Sequence, residues 1–276
     1  MRKVFFAAIA IVAAGLASCG GNKTEQSSAL EDSVVEFVQS ELKAEMILEL
    51  DSLLDEVSQC KAPAFVKSGD SGISLTDEEK KVKPDYLLDP KSATNATLLS
   101  EKYRALTALR IDRNVASLYG MDVAGYDEAI STLLADINDP ALKASMENTD
   151  EADIKTLYAA EKEAGRINFV WQCLATSTVE SLFITAQNVD KFTSTLDDEA
   201  AANITKRLAH VSVSANALVD FDSDFKPVAE SINLLKDVNA TNAADFRVQL
   251  KDQKEAIENA RNMLVKYFFS KSDPKI

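Results

Sequence analysis

The sequence contains little glycine, proline or histidine. Its 276 residues include 8 glycines, 6 prolines and a single histidine. An all-β fold needs many tight turns, and no Asn-Gly or Asp-Gly pair lies between two alternating apolar runs. Alanine, leucine and charged residues dominate instead, and they favour helices. We therefore predict an all-α fold.

The scarcity of histidine limits the possible chemistry. His210 has no second histidine, and no Glu-x-x-His partner, at the one-turn spacing of a helical zinc or di-iron site. The chain also lacks Gly-x-Ser-x-Gly, P-loop and Gly-x-Gly-x-x-Gly motifs. We predict no catalytic constellation, no bound metal and no cofactor, with His210 as an ordinary helix residue.

Basic residues are too few for binding to nucleic acid or to an anionic lipid surface. The chain has 30 Lys and Arg against 44 Asp and Glu, a net charge of −14. Nucleic acids and anionic lipid surfaces are bound by clustered basic side chains. The composition therefore predicts that nucleic acid is not a partner.

The N-terminus is the only strongly apolar run. Arg2 and Lys3 are followed by about a dozen apolar residues and then by small residues before Cys19, the order of a secretory signal peptide. A membrane-spanning helix would need about 20 apolar residues. We predict that residues 1–18 are a removable signal.

The residues at the end of this signal resemble a known motif. Leu16-Ala17-Ser18-Cys19 is similar to the lipobox of bacterial lipoproteins. The resemblance implies cleavage before Cys19 and attachment of acyl chains such as palmitate to that cysteine. Two further triplets, Asp32-Ser33-Val34 and Asp51-Ser52-Leu53, resemble an O-glycosylation acceptor of Bacteroidota.

A lipidated Cys19 would place the protein in the cell envelope. Several acyl chains give a permanent membrane anchor. No acidic block follows Cys19, so we expect an outer-membrane protein that faces the periplasm, with the cell surface as the alternative. Residues 19–28 are polar and predict a flexible tether.

The remaining chain predicts one domain, a bundle of about seven or eight helices over residues 29–272. Apolar residues recur at spacings of three and four. Residues 60–93 break this pattern and predict a long irregular strap, with a Thr76–Glu79 capping box and an extended stretch from Pro84 to Pro90. The predicted helices cover 29–59, 95–119, 122–138, 140–148, 150–188 with a bend at Gly165, 197–219, 227–238 and 243–270.

The second long helix carries the most suggestive polar residues. It is apolar on several sides, which predicts a central position. Arg104, Arg110, Asp112 and Arg113 lie on it, with Glu101 and Tyr103 close by. Partly buried guanidinium groups must be paired. We keep two interpretations: a structural ion-pair network, and a pocket that holds a small anionic ligand at Arg110 and Arg113 with Asp112.

Two other groups have a structural and a functional interpretation. Asp220, Asp222 and Asp224 alternate like the start of a calcium loop, but the positions for the loop's glycine and bidentate glutamate do not match, so helix capping is favoured. Cys60 and Cys173 are either buried thiols or a disulfide.

These observations favour a non-enzymatic, lipid-anchored helical domain that binds or scaffolds an envelope protein or a small ligand. The first alternative is an envelope enzyme that acts on glycan or peptidoglycan through two carboxylates. The second is capture of a small anionic ligand by buried arginine.

In the native host we expect the mature protein to begin at Cys19 and to carry acyl chains. Intact-mass spectrometry of the membrane-extracted protein should find this added mass, and Cys19→Ala should lose it. A chain that keeps Met1, or an unmodified Cys19, would contradict the lipoprotein prediction.

Overall fold

The computed structural model describes residues 26–60, 75–147, 153–191 and 196–266. Every regular element within these ranges is helical, and none of these residues forms a strand. The predicted all-α fold is confirmed. The described residues form eleven α-helices, more than the seven or eight predicted. The signal peptide and Cys19 lie outside the described residues.

The chain divides into two compact units, residues 1–47 and 48–276. The described part of the first unit lies entirely in helix α1, which continues into the second unit. This helix begins at Gln26, so the last three residues of the predicted tether are helical. The predicted domain limits, 29 and 272, stay a prediction.

The described residues contain the α-helices given below and three other short helical segments. Two short 3-10 segments, Pro90–Asn95 and Ser223–Phe225, precede α3 and α9. A π-helical turn, Asn262–Lys266, follows the last α-helix. The α-helices are α1 Gln26–Ser58, α2 Asp77–Lys81, α3 Leu99–Leu118, α4 Ala124–Ile137, α5 Pro140–Glu147, α6 Asp153–Glu163, α7 Ile167–Gln187, α8 Asp198–Leu218, α9 Lys226–Asn233, α10 Ala243–Asp252 and α11 Lys254–Arg261.

The helix count rises because two predicted helices are each divided and because the short capped helix α2 lies within the predicted strap. The bend predicted at Gly165 is a full break between α6 and α7, where this residue has a φ of +70°, a conformation that glycine adopts without strain. The predicted 243–270 helix is divided at Gln253. No glycine or proline lies at that second break, so the local sequence did not predict it.

Helices α3 and α7 form the centre of the second unit. In α7, 17 of 21 residues are buried, and α7 contacts α3, α6, α8 and α11. Leu106 and Leu109 on α3, and Leu182 and Ile184 on α7, are each fully buried. The prediction that these two helices are central is confirmed.

Side-chain caps fix several helix starts, and the sequence predicted one of them. Thr76 and Glu79 form the predicted capping box at α2. Asp139 accepts hydrogen bonds from the N–H groups of Ala141 (2.9 Å) and Leu142 (3.1 Å) at the start of α5. Helix α3 starts later than predicted, because residues 90–95 form a 3-10 helix instead.

The described part of the strap, Cys60 and residues 75–93, lies against the helices. Pro84 and Leu88 are buried, while Tyr86 and Leu87 are half-buried. The predicted role of residues 84–90, holding apolar side chains against the bundle, agrees with this burial. Residues 61–74 of the strap lie outside the described residues.

None of the described helices combines the length and the apolar character that a bilayer crossing requires.

Candidate functional site

The three residues predicted to bind a ligand lie in different environments. Asp112 is fully buried. Arg113 is on the surface, where its Nε donates to Asp127 Oδ1 at 2.9 Å, and Arg110 is half-buried. Neither arginine is among the lining residues of the two cavities described below. A ligand at these two arginines stays a prediction, and Asp112 belongs to an ion cluster.

Arg261, at the end of α11, is the centre of that cluster. Its Nε lies 2.9 Å from both carboxylate oxygens of Glu180 on α7, and its Nη2 lies 2.7 Å from Glu180 Oε1. The same Nη2 is 3.4 Å from Asp112 Oδ2 on α3. The guanidinium carbon lies 4.1 Å from the centre of the Phe183 ring. We call Arg261, Glu180 and Asp112 the Arg261 cluster.

The Arg261 cluster contains two carboxyl groups but one cation. Burial raises the pKa of Asp112 well above its ordinary value, and the nearby Glu180 charge raises it further, although Arg261 opposes both effects. Among the described residues, Asp112 Oδ1 has no hydrogen-bond partner. Protonation of Asp112 would leave one anion and one cation in the cluster.

The same cluster holds the strap. The backbone N–H of Leu88 donates to Asp112 Oδ2 at 2.7 Å, and Arg261 Nη1 donates to the carbonyl of Tyr86 at 3.0 Å. The hydroxyl of Tyr126, on α4, donates to the carbonyl of Leu88 at 3.0 Å. Side chains of the helices thus make the hydrogen bonds that these backbone groups of the strap would otherwise make with a neighbouring strand.

A second pair of buried carboxyl groups shares one arginine. Arg166 Nε donates to Glu161 Oε2 at 2.9 Å, and its Nη2 lies 3.2 Å from Asp139 Oδ2. Tyr103 donates to Asp139 at 2.6 Å and stacks on the Phe169 ring at 4.7 Å between ring centres. This Arg166 cluster joins α3, α5, α6 and the turn before α7.

The two carboxyl groups of the Arg166 cluster have opposite pKa shifts. Burial, and then the hydrogen bond and charge of Asp139, raise the pKa of Glu161 to about 7. Burial opposes ionisation of Asp139 as well, but hydrogen bonds from Glu161, Tyr103 and Leu142 bring its pKa below the ordinary value. Protonated Glu161 therefore donates to ionised Asp139 near neutral pH.

The larger of the two cavities has a volume of about 720 Å³. We call it the Arg104 cavity. It lies where the start of α3, the 3-10 segment before α9 and the π-helical turn meet. Its lining is mixed, with apolar, neutral polar and charged side chains: Leu98, Ser100, Glu101, Arg104, Ser223, Asp224, Pro227, Asn259, Asn262 and Met263.

Arg104 is buried in the wall of this cavity and forms no ion pair with another described residue. The residue is 6% exposed. Its Nε donates to the carbonyl of Leu264 at 3.1 Å, and its Nη1 donates to Gln172 Oε1 at 2.9 Å. Among the described residues Arg104 takes part in no ion pair, and its Nη2 has no hydrogen-bond acceptor. Burial lowers the pKa of this guanidinium, opposed by the charges of Glu101 and Asp224.

The two carboxylates of the Arg104 cavity are fixed by other groups. Glu101 Oε2 accepts from the backbone N–H groups of Thr97 (2.8 Å) and Leu98 (3.0 Å), so Glu101 caps its own helix. Asp224 Oδ2 accepts from the hydroxyl of Ser100 at 2.8 Å. Asp224 Oδ1 accepts no hydrogen bond from the described residues.

The smaller cavity, about 470 Å³, lies between the strap and the end of α11. Its walls include Tyr86, Phe183 and Arg261. Arg261 is already paired with Glu180, so this cavity offers no uncompensated charge at the arginine.

The remaining candidates have structural partners. Asp222 caps the N–H of Asp224 and accepts from Asn168 at 2.8 Å, and Asp220 is exposed. His210 lies 3.9 Å from Glu56, and burial lowers its pKa. Cys60 and Cys173 are free and buried, and burial raises the pKa of Cys173 to about 11. Three or more metal-ligating side chains do not come together within the described residues.

The sequence placed Arg104 in the polar set of the second long helix but not among the predicted ligand residues, and it did not single out Arg166 or Arg261. The ion partners of Arg261 lie 81 and 149 residues away in the chain, a separation that periodicity cannot detect. For Arg104, one signal was present: a charged residue in a helix predicted to be apolar on several sides.

Comparison with known proteins gave no relative. No protein-family description, no curated protein and no solved structure matches the chain.

Removal of the cation from the Arg261 cluster should strongly destabilise the protein. In Arg261→Met, Glu180 stays buried without its cation and Tyr86 loses a donor, so we expect a loss of about 3 to 5 kcal/mol in the free energy of unfolding. Arg113→Met is the matched control, because it breaks the exposed pair with Asp127 and should cost about 1 kcal/mol or less. Urea denaturation measures both. Equal losses would contradict the central role of Arg261.

The Arg166 cluster should make stability depend on pH. The pKa of Glu161 rises from 4.5 to about 7 on folding, so its contribution is complete below the unfolded pKa and is lost as the pH rises through about 7. Glu161→Gln cannot titrate. Its free energy of unfolding relative to wild type should therefore increase between about pH 5 and pH 8. Exposed Glu163→Gln is the control and should show no such trend; a flat difference for Glu161→Gln would refute the shift.

Proposed function

We propose that the mature chain is a lipid-anchored protein of the bacterial envelope that binds a small anionic ligand in the Arg104 cavity without chemical conversion. The supporting observation is Arg104, a buried guanidinium without an ion-pair partner among the described residues, in the wall of an open cavity. An isolated buried charge is costly unless something pairs with it. An anion in the cavity would supply that partner.

The size and lining of the cavity support ligand binding. Small-molecule sites occupy about 300 to 1,000 Å³ and combine apolar walls with a few polar groups that fix orientation. The Arg104 cavity has this volume, with Leu98, Pro227 and Met263 as apolar walls. Arginine suits carboxylates because its planar fork donates two parallel hydrogen bonds. The proposal keeps the anion-binding hypothesis of the sequence but moves it from Arg110 and Arg113 to Arg104.

The placement of the carboxyl groups disfavours the glycan-cleaving alternative. A glycosidase needs a carboxylic acid with a raised pKa beside its substrate. The carboxyl groups whose pKa is raised most clearly, Asp112 and Glu161, belong to the two ion clusters and are not among the residues of the Arg104 cavity. Glu101, which does line it, is used as a helix cap.

A thermal-shift experiment on the purified full chain tests the binding proposal. Acetate and butyrate at millimolar concentration should raise the melting temperature, because a ligand that binds only the folded state stabilises it by mass action. Arg104→Gln should lose this ligand-dependent rise, whatever its own melting temperature. Arg113 pairs with Asp127 outside the cavity, so Arg113→Gln should keep the ligand-dependent rise.

Two outcomes would overturn the proposal. The first is no ligand-dependent rise in wild type, or the same rise in Arg104→Gln. The second is release of soluble fragments from peptidoglycan that Glu101→Gln or Asp224→Asn abolishes, since this would support the enzyme alternative.

A further inference from the structure

We propose that the ligand of the Arg104 cavity is a short peptide of about two or three residues, with apolar side chains, a free carboxylate and a free amino group. This inference rests on the binding proposal above and names the class of ligand. It follows from the arrangement of charge, amide groups and apolar walls in the cavity.

The charges in the cavity call for a ligand of both signs. One cation, Arg104, lines it together with two acidic residues, Glu101 and Asp224. A phosphate or a dicarboxylate would gain the arginine but would bring a second negative charge towards the acidic residues, where like charges repel. A zwitterion can place its carboxylate at Arg104 and its ammonium at a carboxylate.

Two atoms in this cavity have free hydrogen-bonding capacity of opposite kinds. Arg104 Nη2 is a donor with no acceptor among the described residues. Asp224 Oδ1 is an acceptor with no donor among them. Gln172 links the two residues, because it accepts from Arg104 Nη1 at 2.9 Å and donates to the carbonyl of Asp224 at 3.3 Å. A buried amide thus holds the carboxylate site and the ammonium site in a fixed relation.

The neutral polar lining fits peptide groups. Two serines and two asparagines line the cavity, Ser100, Ser223, Asn259 and Asn262. An asparagine side chain both donates and accepts, as a peptide group does. A cavity of about 720 Å³ has the volume of a drug-sized ligand, which corresponds to a peptide of about two or three residues.

The apolar walls favour apolar side chains on that peptide. Leu98, Pro227 and Met263 line the cavity, and Leu98 is 54% exposed. Methionine adapts its shape to different apolar partners. Burial of Leu98 by a ligand would remove apolar surface from water and contribute to affinity.

Isothermal titration of the full chain with a matched set of leucine dipeptides tests this inference. Leu-Leu should bind. Leu-Leu amide lacks the carboxylate, and N-acetyl-Leu-Leu lacks the ammonium. Each should bind at least about tenfold more weakly than Leu-Leu, the effect expected when a hydrogen bond between charged groups is lost. Gly-Gly should also bind more weakly than Leu-Leu, because it lacks the apolar side chains.

Two variants assign the ends of the peptide to residues. Asp224→Asn keeps an oxygen for the hydroxyl of Ser100 but removes the charge, so it should weaken Leu-Leu and leave N-acetyl-Leu-Leu unchanged. Arg104→Gln should weaken Leu-Leu and leave the amide unchanged. Asp127→Asn, exposed and paired with Arg113, is the control and should bind as wild type does.

The results separate this inference from the binding proposal. The peptide inference fails if Leu-Leu does not bind, or if it binds no better than its blocked forms. The anion site still stands in that case if another anion stabilises wild type but not Arg104→Gln. If neither dipeptides nor simple anions bind, both fail. Asp224→Asn that weakens both forms of the peptide equally would contradict an ammonium site at Asp224.

Discussion

The fold of the second unit depends on the need to neutralise arginine in a dry interior. Arg261 at the end of α11 meets Glu180 on α7 and, at longer range, Asp112 on α3, and it also holds the carbonyl of Tyr86 in the strap. One guanidinium therefore connects the two central helices, a later helix and an irregular segment. Since Arg261, Glu180 and Asp112 are buried, loss of any one of these side chains leaves an unpaired charge or an unpaired backbone group. That constraint fixes how these four elements meet.

A comparison of the two buried arginines shows which part of the molecule is structural and which is available for a ligand. Arg261 has carboxylates, a carbonyl and an aromatic ring around it. Arg104 is similarly buried, but its partners are a neutral amide and a carbonyl, and it lines an open cavity. The first arrangement neutralises its arginine within the fold, whereas the second contains the positive charge for which we propose an external anion as the partner. The burial of both is similar, so the difference in function comes from their counter-ions.

The outcome for individual residues shows how far sequence reasoning reached. The capping box at Thr76, the break at Gly165 and the central positions of α3 and α7 were predictable, because each depends on residues close together in the chain. Arg110 and Arg113 were preferred as ligand residues because they share a helix face. However, Arg113 has a partner in Asp127, and the buried cation without an ion pair among the described residues is Arg104, about two and a half turns before Arg113. Helical spacing gives the direction of a side chain but not what another helix places opposite it.

The amino-acid sequence by itself determined the helical class, most helix positions and the absence of recognisable catalytic motifs, because propensity, periodicity and capping act over a few residues. It also carries the lipobox-like residues that predict an anchor at Cys19. Only the tertiary structure decided which charges are neutralised and where space remains, because the partners of Arg261 come from positions 81 and 149 residues away, and the Arg104 cavity is formed by three segments that are distant in the chain. Pairing and empty volume are properties of the packed helices, and no single segment contains them.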